Sequence, residues 1–168
     1  MDKPPFEFAR LDVPIAPATL YRVGGPARVA LFPRNEAEAE AAYHWMRAQP
    51  GPKLVLGAGS NVLVADEGFP GIVYFTTELT ALETLGPGRV RVQGGVPLER
   101  LVRDIMVPGN YRGVGALAGI PGSVGGAIYM NAGTVNGSTC MFLETADLLR
   151  GGVRETTPVG AECYTYRG

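Results

Sequence analysis

Short apolar runs, separated by glycine, proline and other turn residues, organise the first half of the chain. Such runs predict strands, here within residues 19–32, 53–56, 62–65 and 71–75, with the second of them buried. Between the first two, Asn35 followed by Glu38 resembles a capping box that begins a helix. The apolar positions that recur on one face of this helix are Ala41, Ala42, Trp45 and Met46. Residues 1–18 carry four prolines and are predicted to form an extended arm without regular structure.

The second half of the chain has the same character. Residues 82–85 and 89–93 flank Gly86-Pro87-Gly88 and predict a hairpin. A helix is expected to begin at Pro97, with an inner face formed by Leu98, Leu101, Val102 and Ile105. A short helix capped by Ser123 and two strands, residues 142–149 and 153–157, complete the pattern. Helices and strands do not alternate regularly, so the predicted fold class is α+β.

The amino-acid composition argues against nucleic acid, membranes and metal ions as binding partners. The chain has 168 residues, 46% of them hydrophobic and 18% charged, which is typical of a globular protein. Fifteen basic and sixteen acidic residues give no electrostatic footprint for nucleic acid or an anionic membrane. No apolar run approaches the roughly 20 residues of a membrane span. With one histidine and two cysteines, no metal site is expected, and a reducing cytoplasm is the predicted location.

Two glycine-rich stretches are the candidate ligand-binding segments. The apolar run Leu54-Val55-Leu56 leads directly into Gly57-Ala58-Gly59-Ser60-Asn61, and a longer stretch follows at residues 119–127. Glycines let a ligand approach the main chain, whose N–H groups then form an anion cradle. Two such loops predict two walls around one phosphate-bearing ligand. A dinucleotide-binding G-x-G-x-x-G motif is excluded because Val62 holds the third glycine position and no helix can follow, and a Gly-Lys phosphate loop is absent.

Taken together in order, four motifs resemble those of the bacterial UDP-N-acetylenolpyruvoylglucosamine reductases. The resemblance extends from about Thr19 to the last residue. The motifs are Tyr21-Arg22-Val23-Gly24-Gly25-Pro26-Ala27, Leu56-Gly57-Ala58-Gly59-Ser60-Asn61-Val62-Leu63, Leu117-Ala118-Gly119-Ile120-Pro121-Gly122-Ser123-Val124-Gly125-Gly126-Ala127 and Met130-Asn131-Ala132-Gly133.

The resemblance implies a fold and a reaction. The fold is the FAD-binding domain of the p-cresol methylhydroxylase or vanillyl-alcohol oxidase type, with one lobe at residues 19–78, a second at 79–168, and a substrate-binding domain after residue 168. NADPH reduces the flavin, which passes hydride to the enolpyruvyl carbon of UDP-N-acetylglucosamine enolpyruvate, while a serine protonates the neighbouring carbon. The product, UDP-N-acetylmuramate, is a precursor of cell-wall peptidoglycan.

The resemblance also implies residue roles. Residues 56–62 would bind the FAD pyrophosphate, with side-chain bonds from Ser60 and Asn61, and residues 119–127 would form the second wall. The cofactor-binding residues are Leu56, Gly57, Ala58, Gly59, Ser60, Asn61, Val62, Ala118, Gly119, Gly122, Ser123, Gly125, Gly126 and Ala127. Asn131 and Tyr166 would contact substrate. Arg167, in a Tyr-Arg-x-Ser-like segment, would be catalytic and stabilise the enolate-like charge; the alternative is an ordinary surface arginine.

Two departures from the family pattern shape the expectation. Gly168 ends the chain before the family's proton-donating serine, so we expect part of a longer enzyme that is inactive alone. Val135 stands where the family more often has tyrosine. Neither loop contains histidine, which favours noncovalent FAD, and a monomer is expected. The alternatives are another FAD-dependent oxidase or dehydrogenase of the same fold, or a flavin-binding module without activity.

Overall fold

The computed structural model describes residues 3–160 of the chain, which divides into two compact units, Met1–Leu79 and Thr80–Gly168. A four-stranded sheet forms the first unit, in the order β1-β2-β4-β3. Strand β1 is antiparallel to β2, while β2, β4 and β3 run parallel to one another. The strands are β1 (Ala9–Pro14), β2 (Pro26–Leu31), β3 (Lys53–Leu56) and β4 (Phe69–Phe75).

Strand β4 lies inside the sheet, and its residues from Gly71 to Phe75 are buried. Its alternate side chains enter two separate clusters, as the two-residue period of a strand requires. Ile72 and Tyr74 pack with the helix α1 (Glu36–Ala48), and Val73 and Phe75 pack in the cluster that contains Leu56. The predicted strand at residues 71–75 is therefore confirmed.

Helix α1 begins as the sequence predicts. The Asn35 side chain accepts a hydrogen bond from the Glu38 N–H at 3.0 Å, and the Glu38 carboxylate accepts one from the Arg34 N–H at 2.8 Å. The buried face differs from the predicted one: it consists of Ala39, Ala42 and Met46, while Ala41 is exposed. Spacings of three and four residues place those three side chains over the sheet.

Three other expectations for this unit are wrong. Residues 9–14 form β1 instead of an unstructured arm, because Pro14 lies at the strand's last position, where it interrupts no ladder. Residues 62–65 form a loop, held by the hydrogen bond from the Gly25 N–H to the Ala65 carbonyl at 2.9 Å. The predicted buried strand is the edge strand β3, in which only Leu56 is buried.

Three two-stranded sheets and two short helices make up the described part of the second unit. The predicted hairpin is confirmed as β5 (Leu82–Gly86) and β6 (Arg89–Val92). The helix that follows Pro97 is α2 (Leu98–Leu101), and the short helix after Ser123 is α3 (Val124–Tyr129). The remaining strands are β7 (Gly133–Thr134), β8 (Gly137–Ser138), β9 (Thr145–Arg150) and β10 (Val153–Pro158). Phe142 belongs to a 3₁₀ turn before β9, so that strand begins later than predicted.

Helix α2 continues as a π-helical turn, Val102–Met106, which changes its buried face. The Val107 N–H donates to the Val102 carbonyl, five residues earlier, at 2.9 Å. The wider turn brings Met106 into the core, whereas the predicted Ile105 is only partly buried. The core of this unit consists of Val96, Leu98, Leu101, Val102, Met106, Leu117, Val124 and Ala127.

Across residues 3–160, no helix combines the length and apolar character that a membrane crossing requires. The same residues contain no group of three or more His, Cys, Asp or Glu side chains placed to hold a metal ion.

Candidate functional site

The first glycine-rich stretch lies at the carboxyl edge of the parallel strands. Strands β2, β3 and β4 end at this edge, which is where open parallel sheets commonly bind ligands. Leu56, the last residue of β3, is 2% exposed, and its carbonyl accepts a hydrogen bond from the Thr76 N–H at 3.0 Å. The connection from β3 to β4 contains no helix and begins with residues 57–61, here called the glycine loop. Its starting point is therefore fixed by the sheet.

The main chain of the glycine loop leaves its donors free. Within residues 3–160, the N–H groups of the five residues from Gly57 to Asn61 donate no hydrogen bond. The Ser60 hydroxyl and the Asn61 amide likewise make none to the described residues. Ala58 and Asn61 are exposed, and Ser60 is half-buried. Consecutive unpaired N–H groups at a turn can bind an anion through main-chain dipoles without a cationic side chain.

Position 59 requires glycine for a structural reason that the neighbouring sequence does not reveal. Its φ is 62°, and a Cβ at this position would overlap the carbonyl oxygen of Ala18. Its own carbonyl accepts a hydrogen bond from the Leu20 N–H at 3.1 Å. Glycine is therefore needed here for packing against residues 18–20 as well as for ligand approach. Sequence reasoning missed this contact because no local pattern couples residues 40 positions apart.

The second stretch has fewer free donors. Gly119 and Gly122 have φ of 77° and 138°, and the N–H groups of Gly119, Gly122 and Ser123 are unpaired within the described residues. Ser123 is confirmed as the cap of α3, since its hydroxyl accepts from the Gly126 N–H at 3.4 Å. The predicted ligand residues Gly125, Gly126 and Ala127 already use their N–H groups inside this unit.

Gly94 is a neighbour of α3 that sequence reasoning did not identify. Its carbonyl accepts the Gly125 N–H at 2.8 Å, and the two glycines leave room for this approach. The only sequence signal was the pair Gly94-Gly95 between a strand and a predicted helix, which is equally typical of an ordinary turn. Gly125 thus has a packing role, in addition to any role in binding.

The structure places Asn131 in the interior of the second unit. Asn131 is 6% exposed with a φ of 42°, and its side-chain oxygen accepts a hydrogen bond from the Cys140 N–H at 3.1 Å. The predicted substrate contact of Asn131 stays a prediction. Tyr166 and Arg167 lie outside the described residues.

The electrostatics of both loops come from the main chain. Neither stretch contains a titratable side chain, and the clearly displaced pKa values among residues 3–160 belong to other places. Burial raises the pKa of Tyr74 beneath α1, and a hydrogen bond from Thr156 lowers the pKa of Asp147 in β9. Each loop has main-chain donors that suit a phosphate group, and neither loop contains an acid or base for proton transfer.

A cavity of about 350 Å³ in the second unit lies beside the β5–β6 hairpin. Its lining includes Val90, Ile105 and Tyr111, and its one carboxylate, Asp104, is paired with Arg103 at 2.7 Å. The cavity contains none of the predicted site residues, and we attach no function to it.

Comparison with known proteins decides the family. A family model described as "FAD binding domain" matches residues 27–151, about three quarters of the chain. The chain belongs to the FAD-binding domain family. The match includes both glycine-rich stretches, and it confirms the prediction that the cofactor is FAD. The fold of this FAD-binding domain contains both β-sheets and α-helices.

The relatives of this FAD-binding domain confirm the resemblance found in the sequence. UDP-N-acetylenolpyruvoylglucosamine reductase of Synechococcus sp. (strain JA-3-3Ab) is 43% identical over 72% of the chain and 38% of that protein. The protein of the same name from Chloroflexus aurantiacus is 37% identical over 93% of the chain and 53% of its own length. The crystal structure of UDP-N-acetylenolpyruvylglucosamine reductase from Thermus caldophilus matches with a TM-score of 0.70 and 31% identity, over 95% of this chain and 55% of that one. The chain thus spans about half the length, or less, of these relatives.

Proposed function

We propose that this chain is the FAD-binding part of an NADPH-dependent reductase that converts UDP-N-acetylglucosamine enolpyruvate to UDP-N-acetylmuramate for peptidoglycan synthesis. The observation that carries the proposal is the glycine loop, whose five consecutive main-chain N–H groups are unpaired within the described residues. The relatives named above, all called UDP-N-acetylenolpyruvoylglucosamine or -pyruvylglucosamine reductases, support the substrate.

The donors of the glycine loop suit the pyrophosphate of FAD. A diphosphate carries two negative charges at neutral pH and needs several hydrogen-bond donors, which Gly57 to Asn61 supply from the main chain. Ser60 and Asn61 add side-chain donors that make no hydrogen bond to the described residues. Gly119, Gly122 and Ser123 provide further N–H groups in the second unit. When bound between such donors, FAD would supply the hydride-transfer chemistry that links NADPH to the enolpyruvyl group.

The other predicted site residues would contact FAD or substrate without donating a main-chain N–H of the glycine loop. Val62, Ala118, Gly125, Gly126 and Ala127 would also contact FAD. Gly125, Gly126 and Ala127 would do so through apolar atoms or main-chain carbonyls, because their N–H groups are already used inside the second unit. Asn131 would help bind substrate from a buried position. Tyr166 would contact substrate, and Arg167 would stabilise negative charge on the enolpyruvyl group.

We further propose the fold type of the enzyme, its mode of FAD attachment, its oligomeric state and its location. The FAD-binding part would be of the p-cresol methylhydroxylase type, with lobes at residues 19–78 and 79–168 and a substrate-binding domain after them. FAD would be bound noncovalently, because Cys140, the alternative for covalent attachment, is buried and its thiol donates to the Ile128 carbonyl at 3.9 Å. The enzyme would act as a cytoplasmic monomer on small molecules, without nucleic-acid or membrane partners.

Anaerobic visible spectroscopy tests this function. FAD is added to the chain extended by the proposed substrate domain, unbound flavin is removed by desalting, and NADPH is then added. We expect retained flavin bands that NADPH bleaches and that UDP-N-acetylglucosamine enolpyruvate restores. Restoration by simple alcohols or hydroxy acids instead would favour another oxidase or dehydrogenase. Bound flavin that neither NADPH nor any substrate changes would favour a binding module.

A further inference from the structure

Within the described residues, one hydrogen bond ties the glycine loop to another segment of the chain. The Leu20 N–H donates to the Gly59 carbonyl at 3.1 Å. The same glycine packs against the peptide that precedes Leu20, since a Cβ at Gly59 would lie 2.9 Å from the Thr19 Cα. Within residues 3–160 no other hydrogen bond joins the loop to the rest of the chain, so its shape depends in part on where residues 18–20 lie.

Thr19 fixes those residues. It is 5% exposed, and its hydroxyl oxygen lies 3.1 Å from both the Ala16 and the Val23 carbonyl oxygens. Its main chain closes two further turns, donating to the Ala16 carbonyl at 3.2 Å and accepting from the Arg22 N–H at 3.2 Å. The hydroxyl has one proton and donates to one of these carbonyls at a time, so this buried side chain can hold either end of the turn formed by residues 16–23. The Leu20 N–H that meets Gly59 belongs to that turn.

We propose that Thr19 is a positioning residue for cofactor binding. Its hydroxyl holds the turn of residues 16–23, the turn directs the Leu20 N–H at Gly59, and that bond keeps the glycine loop in the shape in which its N–H groups are free for the diphosphate. The proposal rests on the proposed FAD-binding role of the loop. It assigns a function to a residue that would not touch the ligand.

The expected effect of a Thr19 substitution on FAD affinity follows from the preorganisation of the glycine loop. A loop that is already ordered loses less conformational entropy when it binds, so loosening it weakens binding without removing any contact to the ligand. Thr19→Val keeps the size and branching of the side chain but removes the hydroxyl. We expect it to weaken FAD binding about tenfold. Thr19→Ser keeps the hydroxyl and should bind FAD nearly as tightly as the natural chain.

Tyr74→Phe provides a matched control. It also removes one buried hydroxyl that donates to a main-chain carbonyl in the first unit, namely that of Ala39 at 3.1 Å. Tyr74 lies on the sheet face covered by α1, in a different cluster from Leu56. A general loss of stability would affect both variants, whereas loss of loop positioning would affect only Thr19→Val.

Two measurements on the four proteins test the proposal. Flavin fluorescence quenching gives the FAD dissociation constant, and ¹⁵N relaxation without FAD gives the amide order parameters of residues 57–61. We expect Thr19→Val to bind FAD about tenfold more weakly and to have lower order parameters in the loop, with Thr19→Ser and Tyr74→Phe close to the natural chain. If Thr19→Val does not fold, an ester that replaces the Leu20 amide removes the N–H that donates to the Gly59 carbonyl and should give the same two results.

Two results would overturn the proposal: unchanged FAD affinity and order parameters in Thr19→Val, or equal weakening in Thr19→Val and Tyr74→Phe. Failure of the FAD-binding role on which the proposal rests is distinguishable from both, because the natural chain itself would then bind no FAD. The order parameters, which are measured without ligand, would still decide whether Thr19 positions the loop.

Discussion

Gly125 donates its N–H to the Gly94 carbonyl at 2.8 Å, and a Cβ on Gly125 would lie 3.0 Å from that same oxygen. The reverse approach is easier, since a Cβ on Gly94 would lie 3.4 Å from the nearest atom of Gly125. The contact between the two glycines therefore tolerates a side chain on one partner better than on the other.

This asymmetry predicts different effects of two similar substitutions. Gly125→Ala should displace the beginning of α3 by a few tenths of an ångström and destabilise the second unit by about 1 kcal/mol, as overpacking does. Gly94→Ala makes an ordinary van der Waals contact and should change stability by less than about 0.5 kcal/mol. Urea unfolding of both variants measures the difference. Equal destabilisation would show that the contact is not the cause.

Gly59→Ala should disable the glycine loop. The added Cβ would overlap the Ala18 carbonyl oxygen, and a φ of 62° is unfavourable for alanine. We expect a loss of about 1 to 3 kcal/mol in stability and at least about tenfold weaker FAD binding. Gly115→Ala is the control, because a Cβ there meets nothing within 4 Å. Thermal unfolding and FAD titration report the two effects, and wild-type FAD affinity in Gly59→Ala would contradict the packing argument.

Asn131→Ala separates a structural role from substrate binding. The substitution leaves the buried Cys140 N–H without the Asn131 oxygen and puts alanine at a φ of 42°. The free energy of unfolding should fall by about 1 to 3 kcal/mol in the absence of any ligand. Asn131→Asp keeps the acceptor oxygen and serves as the comparison. Unchanged stability in Asn131→Ala would leave substrate binding as the explanation for this residue.

The pKa of Asp147 predicts a pH-dependent contribution of the β9–β10 hairpin to stability. The Thr156 hydroxyl donates to the Asp147 carboxylate at 2.6 Å and, followed by Arg154, lowers its pKa. A folded pKa below the unfolded value means that the stabilisation is present above the unfolded pKa of about 3.9 and is lost as the pH falls through the folded pKa.

Asp147→Asn should therefore lower stability near pH 7 by a few tenths of a kcal/mol, because the group is largely solvated, and its effect should fade as the pH falls through the folded pKa. Thermal unfolding across this range measures the difference between the two proteins. Thr156→Ser, which retains the hydroxyl, should behave like the natural chain. A difference that grows as the pH falls would contradict the assigned cause.

Local patterns in the sequence predicted most elements of the fold. The Asn35 cap, the hairpin around Pro87 and the Ser123 cap depend on neighbouring residues, so the sequence reveals them directly. Strand β1 was missed because its prolines suggested an arm, although pairing with β2 is compatible with a proline at the strand end. Met106 replaced Ile105 in the core because a π-helical turn has no signature in apolar spacing.

The position of the glycine loop could be predicted from the sequence, but the contacts that hold the loop in place could not. Glycine, serine and asparagine after an apolar run located the glycine loop, since these residue types report local backbone requirements. The contact between Leu20 and Gly59 joins residues distant in the chain, and only the fold brings them together. The same applies to Gly94 and Gly125, whose approach requires the packing of α3.

An FAD titration followed by ¹H–¹⁵N correlation spectra tests the central claim most directly. Residues 57–61 have unpaired N–H groups within the described chain, so FAD binding should shift these five amide resonances most, with further shifts at Gly119, Gly122 and Ser123. Saturable binding with that pattern is the predicted result. Failure to bind FAD, or binding that leaves the amides of Gly57 to Asn61 unchanged, would contradict the account.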